Sequence, residues 1–248
     1  MAKQNRQKVI DKRWDKKKAG GRVVRKDEAY VAPPVQALNP TQKLFLKELR
    51  EKPVVIFSAP AGSGKSHLTM CEVTDWIKKD TGYNKLTLTR PTVGMGKSLG
   101  LLPGDLKEKY EPYLMPMIEV IKDRYGTGFY DTGIDNGVIE LCALEHIRGR
   151  NFDQLVVIDE GQLLQPNEMY TLISRMADGG KLIILGDSTQ RDHQGMDGIT
   201  WLLNFVDRHD LSHIIGYIEG TSDDIERGDV CKAIVKAMEI DRKNIEGL

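Results

Sequence analysis

Val54-Val55-Ile56-Phe57 runs straight into Ser58-Ala59-Pro60-Ala61-Gly62-Ser63-Gly64-Lys65-Ser66, and His67-Leu68-Thr69-Met70-Cys71-Glu72-Val73 follows. An apolar strand thus feeds a Gly-rich loop that ends in Gly-Lys-Ser and opens a helix. That order of elements holds a nucleoside triphosphate. Backbone N–H groups of the loop wrap the phosphates, the lysine sets a point charge on the β/γ oxygens, and the hydroxyl takes a Mg2+ position. The helix begins where the phosphates sit, so its dipole favours their charge as well. Ala59 stands where the usual pattern opens with Gly. Residues Ala59, Pro60, Ala61, Gly62, Ser63, Gly64, Lys65, Ser66 and His67 are the expected phosphate-binding run, with Ser66 on the metal.

Outward from this stretch the chain alternates strand and helix. Asn39 can cap a helix with Pro40 in its first position, running through Leu49. Strands are expected at 54–57, 85–89, 138–141, 155–158, 181–185 and 214–218, and helices at 68–78, 166–176 and 230–238. Several of the strands are unbroken apolar runs, as strands covered on both faces of a parallel sheet should be. The pattern predicts an α/β doubly wound domain with its chemistry at the carboxyl ends of the strands.

Leu155-Val156-Val157-Ile158-Asp159-Glu160 is the second piece of chemistry. Two carboxylates end an apolar strand about ninety residues after the Gly-rich loop. Asp159 is the expected Mg2+ partner and Glu160 the base that polarises the attacking water. A third element is Leu185-Gly186-Asp187-Ser188-Thr189-Gln190, another strand ending in a polar turn. Gln190 can sense the γ-phosphate there; as a turn residue it needs no such role.

The formal net charge is zero, but residues 1–26 hold eleven Lys/Arg and two Asp, a charge of +9 against −9 for the rest. Trp14 is the only aromatic in that stretch. Such a composition cannot build a core and predicts a disordered basic arm, either contacting nucleic-acid phosphates or serving as a solubilising tail. Residues 27–38, with Pro33-Pro34, read as a linker, so 1–38 is arm and linker and 39–248 the folded domain. No apolar run is long enough for a membrane span, and the basic N-terminus precedes no hydrophobic segment. Cys71, Cys142 and Cys231 are far apart and form no CxxC pair, which favours a reducing, cytoplasmic setting.

Asp159-Glu160-Gly161-Gln162 and Gly186-Asp187-Ser188-Thr189-Gln190 resemble the Walker B and third motifs of superfamily 1 helicases. Leu88-Thr89-Arg90-Pro91, then Leu99-Gly100-Leu101-Leu102-Pro103-Gly104-Asp105-Leu106-Lys107-Glu108-Lys109, resemble the PhoH family more specifically. Pro112-Tyr113, Arg148-Gly149-Arg150 and Asp224-Ile225-Glu226-Arg227 fit the same family. The resemblance covers roughly residues 40–240 and implies a RecA-like ATPase using ATP and Mg2+. It also implies a ring-forming homo-oligomer, a hexamer in that form, linked to RNA or single-stranded nucleic acid. Gln42, in Asn39-Pro40-Thr41-Gln42, resembles the glutamine that reads adenine; a helix-surface glutamine is the plainer alternative. Arg227, expected to open the last helix, is the first candidate for a charge-neutralising arginine, supplied in cis or by a neighbour in a ring, and Arg150 the second. Arg90, at a strand end, can face RNA phosphates. A different class of function, an ATP-dependent regulator of a protein partner, fits the same motifs. A kinase or GTPase is disfavoured, because no Asn-Lys-x-Asp occurs and the acidic pair suits water activation.

Overall fold

In the computed structural model, residues 30–91, 106–147, 149–188 and 195–246 are described. The basic arm, most of the Leu-Pro-Gly-Asp segment, Arg148 and Gln190 lie outside them. Among the described residues six strands form one sheet in the order β3-β2-β4-β5-β1-β6, every neighbouring pair parallel. The strands are β1 (Val54–Ser58), β2 (Leu86–Thr89), β3 (Ile139–Leu141), β4 (Leu155–Ile158), β5 (Lys181–Gly186) and β6 (Ile215–Glu219). All six expected strands are present within a residue or so of their predicted ends.

Side-chain alternation along each strand divides the core. Val55 and Phe57 of β1, Val157 of β4 and Ile183 of β5 face one layer with Phe45, Leu49, Val73, Ile118 and Ile121. Val54, Ile56, Ile158 and Ile184 face the other, with Leu172, Ile199 and Leu202. The first layer is α1 (Pro40–Glu51), α2 (Lys65–Lys79), α3 (Leu106–Tyr125) and α4 (Thr127–Asp135). The second contains α5 (Leu144–Ile147), α6 (Pro166–Ile173) and α7 (Gly198–His209), and α8 (Asp229–Glu246) follows β6.

Local signals set the ends of these helices. The Asn39 side chain accepts from Gln42 N and Pro40 stands in the first turn of α1. Asp197 caps α7 through Thr200 N, and Gln165 with Glu168 forms a capping box on α6. The helix expected at 68–78 starts earlier, at Lys65, and the one expected at 166–176 stops at Ile173. The last helix starts at Asp229, so Arg227 precedes it rather than opening it. α3, α4, α5 and α7 have no counterpart among the helices expected from the sequence. Pro112 and Pro116 inside α3 argue against a helix locally. Burial of Leu114, Met117, Ile118 and Ile121 outweighs that local penalty.

Residues 30–38 are irregular yet packed. Ala32 is buried, the Tyr30 ring meets Tyr125 edge-on, and Arg124 Nη2 donates to Pro33 O at 2.9 Å. Residues 30–38 are therefore seated against the end of α3, and that seat borders the site. None of the described helices is long and apolar enough to cross a membrane.

Candidate functional site

The loop between β1 and α2 is built on two glycines with φ of +90° (Gly62) and +85° (Gly64), a region that other residues enter only at a cost. A Cβ on Gly62 would lie 3.0 Å from Arg227 Cγ and Cδ. The loop is anchored to its surroundings: Ala59 N donates to Gly186 O at 2.9 Å, and Glu226 N donates to Gly62 O at 3.0 Å. Lys65 Nζ donates to the carbonyls of Ala59 and Pro60. Burial pulls the Lys65 ammonium below its usual range, while the charges of Asp187, Asp159 and Glu160 pull the other way.

Gln42 is buried rather than on a helix surface. Its Nε2 donates to Ser63 O at 2.9 Å and its Oε1 accepts from Leu38 N at 2.7 Å. The amide therefore ties the phosphate-binding loop to the chain entering α1. One N–H and one lone pair remain for a base edge.

Asp159 and Glu160 follow β4, which is two strands from β1 with β5 between. At about 4.8 Å per strand the two strand ends lie roughly 10 Å apart, room for a phosphate between the lysine and the acids. Burial, then the Glu160 charge, push the Asp159 carboxyl up. A divalent cation there would offset both effects by stabilising the ionised carboxylates, so this oxygen donor set fits Mg2+.

Glu160 has φ +54° and ψ +41°, a strained conformation for a side-chain-bearing residue. The next residue must be small, because a Cβ on Gly161 would lie 2.4 Å from Ile184 Cγ2. The Glu160 carboxylate accepts from Gln162 Nε2 at 2.7 Å and pairs with Arg90 Nη2 at 3.4 Å. Gln162 is itself buried, and its Oε1 accepts from Asp187 N at 3.0 Å. Gln162 and Asp187 stand inside the acidic and third motifs, where no local pattern marks a role for either. Their contact spans twenty-five residues and exists only through the sheet order.

These groups line one cleft of about 910 Å3. It holds Gln42, Ala61, Gly62, Gly64, Lys65, Ser66, His67, Asp159, Glu160 and Arg227 of the predicted set, together with Arg90 and Asp187. It also runs past Pro33–Gln36 and Leu38 to Cys71, Val120 and Arg124, a wall assembled from segments far apart in the chain. Arg150 is not in this cleft. It pairs with Glu140 at 2.6 Å on the edge strand β3, beside Lys85. Arg227 lies in its own chain's cleft.

The chain is 37% identical to the PhoH-like protein of Bacillus subtilis (strain 168) over 152 residues, 61% of this chain and 47% of that one. It is 29% identical to Protein PhoH of Escherichia coli (strain K12) over 209 residues, 82% of this chain and 58% of that one. It thus spans about half the length of these curated relatives. The UvsW helicase of bacteriophage T4 superposes with a TM-score of 0.44 at 13% identity, over 85% of this chain and 67% of that one, a likeness too loose to carry functional weight. The PhoH-like protein model matches residues 34–239, and with the parallel sheet and Gly-Lys-Ser loop already in place, the chain belongs to the PhoH-like family.

Proposed function

We propose that this chain is a Mg2+-dependent ATPase whose turnover is coupled to binding RNA or another single-stranded nucleic acid. One observation carries the hydrolytic part: Lys65 and Ser66 at the start of α2 share a cleft with Asp159 and Glu160 after β4. The loop from Ala59 to His67 wraps the triphosphate of ATP, and Lys65 leaves its two loop carbonyls for the β/γ oxygens. Ser66 and Asp159 would hold Mg2+, which when bound would supply positive charge to the triphosphate. Glu160 accepts the proton of the water that attacks the γ-phosphate, its carboxylate oriented by Gln162. Arg227, with its stem against Gly62, supplies positive charge in cis, so the reading does not depend on a neighbouring subunit. Gln190 takes the γ-phosphate sensing role by its place in sequence, and Gln42 uses its spare amide groups on adenine. The +9 segment at residues 1–26 supports the nucleic-acid part through phosphate neutralisation.

ATP binding and turnover by Lys65→Ala and Glu160→Gln test the roles. Lys65→Ala weakens ATP binding. Glu160→Gln keeps binding and loses turnover by about 10^2-fold or more, the scale of a general base. Unimpaired hydrolysis by Glu160→Gln would remove Glu160 from that role. Turnover with and without single-stranded RNA, at low and moderate salt, tests the coupling.

A further inference from the structure

Arg90 is held in a way that neither packing nor the phosphate-binding loop explains. Its backbone is fixed: Tyr110, almost fully buried, receives Arg90 N at its hydroxyl and donates that hydroxyl to Arg90 O at 2.6 Å. Its guanidinium is poorly bonded. Nη2 reaches Glu160 at 3.4 Å, Nη1 reaches Tyr113 O at 3.4 Å, and the buried Nε has no hydrogen-bond partner among the described residues. A guanidinium has five N–H donors in a planar fork suited to two phosphate oxygens, so this placement leaves most of its capacity unused.

Its position in the sheet favours a partner other than the nucleotide. Thr89 pairs with Ile158, so Arg90 stands beside the acidic pair, and β2 lies on the side of β4 away from β1. Three strand spacings, roughly 14 Å, separate β2 from the strand that feeds the phosphate-binding loop. The Arg90 backbone is thus set on the outer side of the cleft, where its guanidinium can meet a second anion while Asp159 and Glu160 face the phosphate-binding loop. The two ties on Glu160 are unequal too. The Gln162 bond is short and made by a buried amide. The Arg90 pair is long, and both its side chains stay about 30% exposed.

We infer that Arg90 is a latch on Glu160 that a nucleic-acid phosphate releases: the guanidinium exchanges the carboxylate for a backbone phosphate, leaving Glu160 on Gln162 alone and free to take a proton. This deepens the proposed coupling to nucleic acid and rests on it. Binding of RNA thereby becomes a condition of fast turnover, through one side chain swinging about a fixed backbone.

The exchange has a thermodynamic signature that needs no ATP. If Arg90 must leave Glu160 to meet RNA, removing the carboxylate charge tightens RNA binding, but only while Arg90 is present. Binding of a fluorescent single-stranded RNA oligonucleotide is measured without nucleotide for the unmodified chain, Glu160→Gln, Arg90→Gln and the double variant. Glu160→Gln is expected to bind about two- to five-fold tighter, the range of a partly exposed ion pair. Arg90→Gln binds more weakly, with a salt slope smaller by about 0.7, and the double variant matches Arg90→Gln. No tightening in Glu160→Gln, tightening that persists without Arg90, or no RNA binding by the unmodified chain overturns the latch. In the ATPase assay Arg90→Gln raises RNA-free turnover with an unchanged KM for ATP and a smaller stimulation by RNA. A structural role for Arg90 would instead lower turnover equally with and without RNA. Hydrolysis with a failed binding cycle removes the latch alone, and an intact cycle without hydrolysis removes the ATPase reading alone.

Discussion

Replacing Gln42 by Ala removes both ties between the phosphate-binding loop and the segment entering α1. Ser63 O loses a buried hydrogen bond and Leu38 N loses a partly buried one. An orphaned buried carbonyl costs about 1–3 kcal/mol and a partly buried amide about 1 kcal/mol, so the variant is destabilised by roughly 2–4 kcal/mol. In a domain of this size each kcal/mol lowers Tm by about 2–4 °C, which gives a fall of roughly 4–16 °C. The loop is also less ordered before it meets ATP, so KM rises. Thermal melting of the nucleotide-free protein and initial-rate kinetics with ATP and GTP check this. An unmoved Tm with an unmoved KM would refute the clamp. Base choice is a separate readout, because adenine offers a donor and an acceptor at N6 and N7 where guanine offers two acceptors. ATP should be preferred over GTP, and Gln42→Ala should narrow that preference. Equal use of both nucleotides by the unmodified chain removes Gln42 from adenine recognition while leaving the clamp.

Lys181 is buried, its Nζ donates to Leu49 O and Lys52 O, and burial pulls its pKa down to about 8. The unfolded chain binds the proton more tightly than the native one between about pH 8 and pH 10.4, so stability rises with pH across that window; a neutral amine still has hydrogens for both carbonyls. Lys181→Met should reduce this rise in denaturant titrations, leaving the share of Lys65, and destabilise the end of α1; a slope unchanged in the variant would refute the assignment. Burial raises the Asp75 carboxyl pKa, but hydrogen bonds from Arg124, Tyr125 and Lys79 outweigh it and hold the pKa below the usual range. The stability this confers is complete above the unfolded carboxylate pKa, about 3.9, and is lost as pH falls through the lower native value. Arg124→Met should lower stability at neutral pH by about 3–5 kcal/mol, the scale of breaking a buried pair, and flatten the acid limb of the stability profile. A loss that persists undiminished down to pH 2 would place the effect elsewhere.

The sheet and the phosphate-binding loop were legible because their signals are local. A parallel strand buried on both faces is an unbroken apolar run, and Gly62-Ser63-Gly64-Lys65-Ser66 carries its chemistry within one turn. α3 was not legible, since Pro112 and Pro116 speak against a helix and only its buried face decides for one. The site's supporting residues were hidden for a different reason. Arg90 and Glu160 are seventy residues apart, and Pro33 and Arg124 ninety-one. Those pairs become neighbours through the strand order and the return of α3 over the first layer, which no spacing within the chain records.

That strand order also connects the two halves of the chemistry. β5 lies between the strand of Lys65 and the strand of Glu160, and its end is bonded to both sides. Ala59 N donates to Gly186 O and Ser188 N donates to Ser58 Oγ at 3.1 Å, joining β5 to the loop. Asp187 N donates to Gln162 Oε1, and Gln162 Nε2 donates to Glu160, joining it to the acidic pair. A Cβ on Gly186 would lie 2.8 Å from Gln162 Oε1, so glycine there lets the amide sit against the strand. A shift of the phosphate-binding loop as it closes on phosphate must therefore move the end of β5 or break a bond to it, and the end of β5 holds the amide that orients Glu160. Arg90 grips the same carboxylate from the opposite side, through β2. Glu160, tied to β5 through Gln162 and to β2 through Arg90, is thus the one side chain on which the proposed displacement from the nucleotide side and the proposed release from the outer side of the cleft would both act.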